Sequence, residues 1–134
     1  MKKITLLKTA LFFAGFALTN IAHAALPVGF WQIDNYDFVT KAKISTAFAC
    51  ILSDGTLKAG LSLPFNDWYG NWKRNGDLIL LRTNNVNAVS VGASYLVASN
   101  TKLMTGYSQS WTTSNTNEGF YTTVVWTFKK TTCP

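Results

Sequence analysis

Past its first 24 residues this chain has no histidine, because the only one in 134 residues is His23. Without an imidazole, Ser-His-Asp and Cys-His sites cannot be assembled, and most general-base chemistry loses its usual carrier. Charge is also sparse, at 13% of residues. It lies scattered, with Lys73-Arg74 and Lys129-Lys130 as the longest basic runs. A nucleic-acid binder usually concentrates its basic residues more densely. There are only two cysteines, no glycine-rich phosphate loop and no cluster with metal-ligand spacing, so neither a metal nor another cofactor is expected.

The leader itself is informative. Met1-Lys2-Lys3 precede an apolar stretch over residues 9–18, and Ala22-His23-Ala24 place small residues at the −3 and −1 positions of a cleavage site. This is the pattern of a secretory signal peptide, residues 1–24. The apolar stretch is shorter than the roughly 20 residues a bilayer span needs. Residues 25–134 are therefore expected to be exported, to the periplasm or beyond, as one domain that does not span the membrane. The whole chain carries twelve Lys/Arg and six Asp/Glu. Lys2, Lys3 and Lys8 leave with the leader, so nine face six and the formal charge is +3.

Cys50 and Cys133 are both in the exported part, 83 residues apart. An even cysteine count in an exported chain predicts a disulfide.

Thr, Val, Tyr, Trp and Phe dominate residues 25–134, with Gly and Asn at short intervals, which is the composition of an all-β domain. Strands are expected over 28–34, 44–52, 56–61, 67–73, 78–83, 88–98, 102–111 and 120–129. Asp54-Gly55 and Asn75-Gly76 mark tight hairpin turns. Residues 35–41 and 112–118 read as loops. About eight strands joined in sequence order predict an antiparallel meander. Closing it removes two exposed edges, so an up-and-down barrel is expected, with a two-sheet sandwich as the alternative.

Gly29-Phe30-Trp31 resembles the Gly-x-Trp opening of the lipocalin and avidin barrels, the calycins. Leu103-x-x-Gly106, Gly119 and Trp126 are similar to the closing strands of small bacterial barrels of that kind. The resemblance implies an eight-stranded barrel in which Trp31 closes one end. The internal Thr-Asp-Tyr type motif of typical lipocalins is absent, and no arginine lies on the last strand. The biotin-contact pattern of avidins has no residue-by-residue counterpart here.

Five tryptophans remain after the leader: Trp31, Trp68, Trp72, Trp111 and Trp126. They serve either as core or as platforms for a ring-shaped ligand. The candidate ligand-binding set is Trp31, Trp68, Tyr69, Trp72, Tyr107, Gln109 and Trp111. Gly70 between Trp68 and Trp72 would leave a slot. Thr46, Thr105, Gln109 and Thr122 are read as polar residues on inward faces. Val89, Val91, Ala93, Tyr95 and Val97 share one face of their strand. Ser90, Ser94, Ser108 and Ser110 are read as outward, too polar for an outer-membrane barrel. Arg82 is placed at a solvent-exposed rim. Asp34 and Asp67 are weighed as a glycosidase-type carboxylate pair, though no spacing joins them.

The expected function is non-enzymatic: an exported barrel holding a small apolar or aromatic ligand. The alternative is an inhibitor or immunity protein that meets a protein partner through exposed aromatics, or a carbohydrate-binding module.

Overall fold

A computed structural model describes residues 27–87, 89–112 and 115–134, with the side chains of 115–118 excepted. Residues 1–24, read from the sequence as a signal peptide, lie outside the described residues. Eight strands follow in order: β1 (Gly29–Asp37), β2 (Lys43–Ile51), β3 (Thr56–Gly60), β4 (Trp68–Asn75), β5 (Leu78–Asn85), β6 (Ser90–Asn100), β7 (Leu103–Thr112) and β8 (Asn115–Lys130). Each pairs antiparallel with the next, and β1 pairs with β8, so the sheet closes into a barrel. The closure rules out the sandwich. β8 begins at Asn115, so the loop expected over 112–118 is mostly strand.

Short turns close one end, at 52–55, 76–77 and 101–102. Asp54 accepts from the Thr56 amide and hydroxyl, and Asn100 accepts from the Lys102 amide. The loops at 38–42 and 61–67, together with residues 86, 87 and 89, lie at the other end. In the half near the short turns, inward side chains meet in one apolar core. Trp31, Ile51, Leu57, Ile79, Leu96 and Met104 are its most deeply buried members, with Trp72 and Trp126 beside them. The Trp31 indole donates to the Pro27 carbonyl at 2.8 Å and meets Phe128 edge-on. Trp72 donates to the Leu52 carbonyl at 2.8 Å.

The Cys50–Cys133 disulfide forms, with Cα atoms 5.7 Å apart, and ties the chain after β8 to β2. Gly70 has a backbone role instead of opening a slot. A Cβ there would lie 1.9 Å from the Arg82 carbonyl oxygen, and one at Gly106 would lie 1.9 Å from that of Tyr95. At both places neighbouring strands approach too closely for any side chain.

Two strands turn the opposite way from the expected phase. On β6 and β7 the inward residues are Gly92, Ser94, Leu96, Met104 and Ser108, while Tyr95, Val97 and Tyr107 are exposed. Ser94, Ser108 and Ser110 therefore face the interior. Thr105 alternates outward between Met104 and Gly106. Thr46 hydrogen-bonds Asp34 on the outer wall, whereas Thr122 is buried inward as expected. The serines no longer argue against a lipid-facing wall, but the exposed Lys58, Lys73 and Arg82 on β3 to β5 do. Among the described residues no helix is long and apolar enough to cross a membrane.

Candidate functional site

Packing of the large inward side chains stops about halfway along the barrel. Above Leu57, Leu81, Val124 and Trp126, the inward positions other than Trp68 and Phe120 carry mostly small or polar residues, and a cavity of about 240 Å³ opens there. Its polar wall comes from six strands: Asn35 on β1, Ser45 on β2, Thr83 on β5, Ser94 on β6, Ser108 and Ser110 on β7, and Thr122 on β8. The Asn35 amide donates to the Ser45 hydroxyl at 3.2 Å, and the hydroxyls of Ser94 and Ser108 are 2.9 Å apart. These two cross-strand pairs line different walls. Each hydroxyl keeps further hydrogen-bonding capacity after its pair is made.

Trp68 supplies an aromatic wall, and Gly92 makes room beside it. A Cβ at Gly92 would sit 2.7 Å from the Thr83 hydroxyl and 4.0 Å from the Trp68 ring. The slot expected at Gly70 is thus opened by Gly92. The described lining residues include no ionisable side chain. At the floor, the buried indole nitrogen of Trp126 has no hydrogen-bond partner among the described residues. A buried donor of this kind costs about 1–3 kcal/mol while unpaired.

The mouth is apolar. Exposed Val39, Leu61, Leu63, Val86 and Val89 come from three loops, and Phe120 reaches it from β8. The loop carrying Leu61 and Leu63 is braced. Phe65 is buried against Phe30, while the Asp67 carboxylate accepts from the Leu61 amide at 3.0 Å. The Asp67 carbonyl also accepts from the Val86 amide and the Asn85 side chain, which joins two of the mouth loops.

The seven candidate ligand-binding residues separate into three groups. Trp68 borders the cavity, and so does the backbone of Gln109, whose side chain faces outward with Tyr107 and Trp111, contrary to the inward reading. Trp31 and Trp72 are buried in the core beneath it. Tyr69 and Tyr107 are exposed, and Trp111 is on the outer wall, where it borders a shallow groove with Tyr95 and Arg82. Sequence reasoning missed Asn35, Ser45, Thr83, Ser94 and Ser108. For Ser94 and Ser108 the signal was the phase shared with Gly92 and Gly106, glycines in mid-strand where a side chain is excluded or space is left, and for Asn35 it was the phase shared with Trp31 and Ile33.

The carboxylates weighed as a catalytic pair are engaged separately. Asp34 hydrogen-bonds and ion-pairs with Lys43 at 2.8 Å on the outer wall, with Thr46 and Gln32 as further donors. The Lys43 contact, opposed by burial and reinforced by Thr46 and Gln32, holds its carboxyl below the ordinary range. Asp67 is the loop brace described above.

Comparison with protein-family models, with curated proteins and with solved structures found no match to the chain.

Proposed function

We propose that the exported chain is a calycin-like binding barrel that holds one small uncharged ligand in the cavity beneath its apolar mouth. The observation that carries this reading is the cavity itself: an apolar floor, one tryptophan wall and a set of neutral hydroxyl and amide groups on opposite sides. Ligand sites commonly combine a mostly apolar surface with a few convergent polar groups.

Size and charge narrow the ligand. A cavity of 150 Å³ accommodates benzene, so one of about 240 Å³ suits roughly ten non-hydrogen atoms. A charged ligand would lose its hydration and meet no countercharge among the described lining residues. A ring fits best, with its face against Trp68 and polar substituents among Ser94, Ser108, Asn35 and Ser45. Seryl hydroxyls with no base beside them hold a ligand without moving its protons, which supports a non-enzymatic role.

Native mass spectrometry of the oxidised protein, purified from the exporting host, tests this reading. The expected result is a retained mass of about 120–200 Da that is lost on denaturation, the range of a compact ligand of that size. A protein that stays apo with ring-shaped candidates added would overturn it. A second reading, a protein-binding inhibitor, draws on the exposed Tyr95, Tyr107 and Tyr121 of the outer wall. It predicts capture of a single protein through those residues with the cavity empty.

A further inference from the structure

The outer wall of β3 to β7 has an uneven charge distribution. These five strands carry Lys58, Lys73 and Arg82 on the outer face, Arg74 in the inward phase of Trp72, and not one carboxylate. Asp67 and Asp77 lie in the connecting loops. Asp67 is taken up by the Leu61 amide, and Asp77 lies 3.8 Å from Arg74. Lys73 and Arg82 are exposed and have no ion-pair partner among the described residues.

A groove of about 640 Å³ runs across this wall over β4, β5 and β6. Strand register fixes its layout. Arg82 stands opposite Asn71 on one side and Ala93 on the other, and Ala93 stands opposite Gln109. One step towards the short turns, Lys73, Leu80, Tyr95 and Tyr107 form the parallel row. One step the other way, Val91 stands opposite Trp111. The small Ala93 side chain is thus a depression flanked by Arg82, Tyr95 and Trp111. Cations lie on one side and aromatic rings on the other, about 10 Å apart across two strand spacings.

We propose that this groove is a second binding site, separate from the cavity, and that its ligand is an acidic oligosaccharide. A sugar ring would lie over Ala93 against Trp111 and Tyr95. Its carboxylate or sulfate would reach Arg82, with Lys73 beside it. An aromatic face suits the apolar C–H face of a pyranose, and a guanidinium pairs with a carboxylate or sulfate through two parallel hydrogen bonds. Asn71 and Gln109 share the Arg82 row and supply the donors and acceptors that sugar hydroxyls need. Nucleic acid is the weaker fit, because two or three cations neutralise too few phosphates for a stable footprint.

The test is calorimetric titration of the oxidised protein with three probes: a hexauronate, an uncharged glucose hexamer of matching linkage, and a six-nucleotide single strand. The hexauronate should bind, and added salt should weaken it several-fold. Arg82→Gln and Trp111→Ala should each weaken it about tenfold, while Arg82→Lys restores part of the loss. Both positions are on the outer surface, and an unchanged circular dichroism spectrum would verify the fold. Ser108→Leu, which fills the cavity at a residue that does not border the groove, should leave hexauronate binding unchanged, so this site and the cavity can fail independently. Equal binding of the uncharged hexamer would overturn the proposal. So would tighter binding of the oligonucleotide through the same residues, or no binding of the hexauronate.

Discussion

Ser94 on β6 and Ser108 on β7 face each other inside the barrel with their hydroxyls 2.9 Å apart. Each takes the place of a large apolar side chain at a height where the core would otherwise continue. The space this leaves forms one wall of the cavity. Ser94→Leu should therefore fill the cavity and abolish retention of the small ligand. It should also cost little stability, within about 1 kcal/mol, because added apolar contact offsets the lost hydroxyl pair. Native mass spectrometry and urea denaturation of the same sample measure both effects.

The glycines of two inward faces should differ sharply in tolerance. Gly70→Ala forces a methyl group against a backbone carbonyl at 1.9 Å, and backbone of two paired strands cannot give way cheaply. A loss of about 3 kcal/mol or more is expected. Gly92→Ala meets the Thr83 hydroxyl, the end of a side chain that can rotate, and should cost about 1 kcal/mol or less. Urea midpoints compare the two. Gly92→Ala should still reduce ligand retention, because it narrows the space beside Trp68.

The strand plan was legible in the sequence, and the orientation of two strands was not. On β4, Trp68 and Trp72 alternate with Tyr69 and Lys73, so the sequence put the two tryptophans on one face, and the barrel turns that face inward. On β6 and β7 the same rule put Tyr95, Val97, Tyr107 and Trp111 inside, and the barrel puts them outside. Period-two alternation reports which residues share a face but not which face is buried. The hydrophobic-inside rule selects the wrong face wherever the interior must stay partly empty. The small residues Gly92, Ser94 and Ser108 were the informative ones, because a strand face built of them cannot fill a core. Trp126 was readable as core, but its unpaired indole nitrogen depends on neighbours that only the closed barrel brings together.

Loss of the disulfide should be costly. The Cys50–Cys133 link spans 83 residues, for which the chain-entropy relation gives about 4–5 kcal/mol. The Cys50→Ser, Cys133→Ser double variant should show a markedly lower urea midpoint than the oxidised protein. Reduced wild type should match the variant.

Acid should weaken the β1–β2 seam. The Asp34 carboxyl has a lower pKa folded than unfolded, so its contribution is complete above the unfolded value of about 3.9 and is lost as pH falls through the folded one. Asp34→Asn should lower Tm at pH 7, and the gap from wild type should shrink steadily below pH of about 4. Thermal melts from pH 7 down to pH 2 test the sign. A gap that widened on acidification would contradict it.

β1 starts and β8 finishes at the end sealed by the short turns, and the disulfide holds Cys133 there too. Both ends of the folded chain thus emerge on the side opposite the mouth. Anything joined to either end, whether a purification handle, a fluorophore or a sensor surface, points the opening away from its attachment. An immobilised barrel would capture ligand as freely as one in solution, whichever end tethers it.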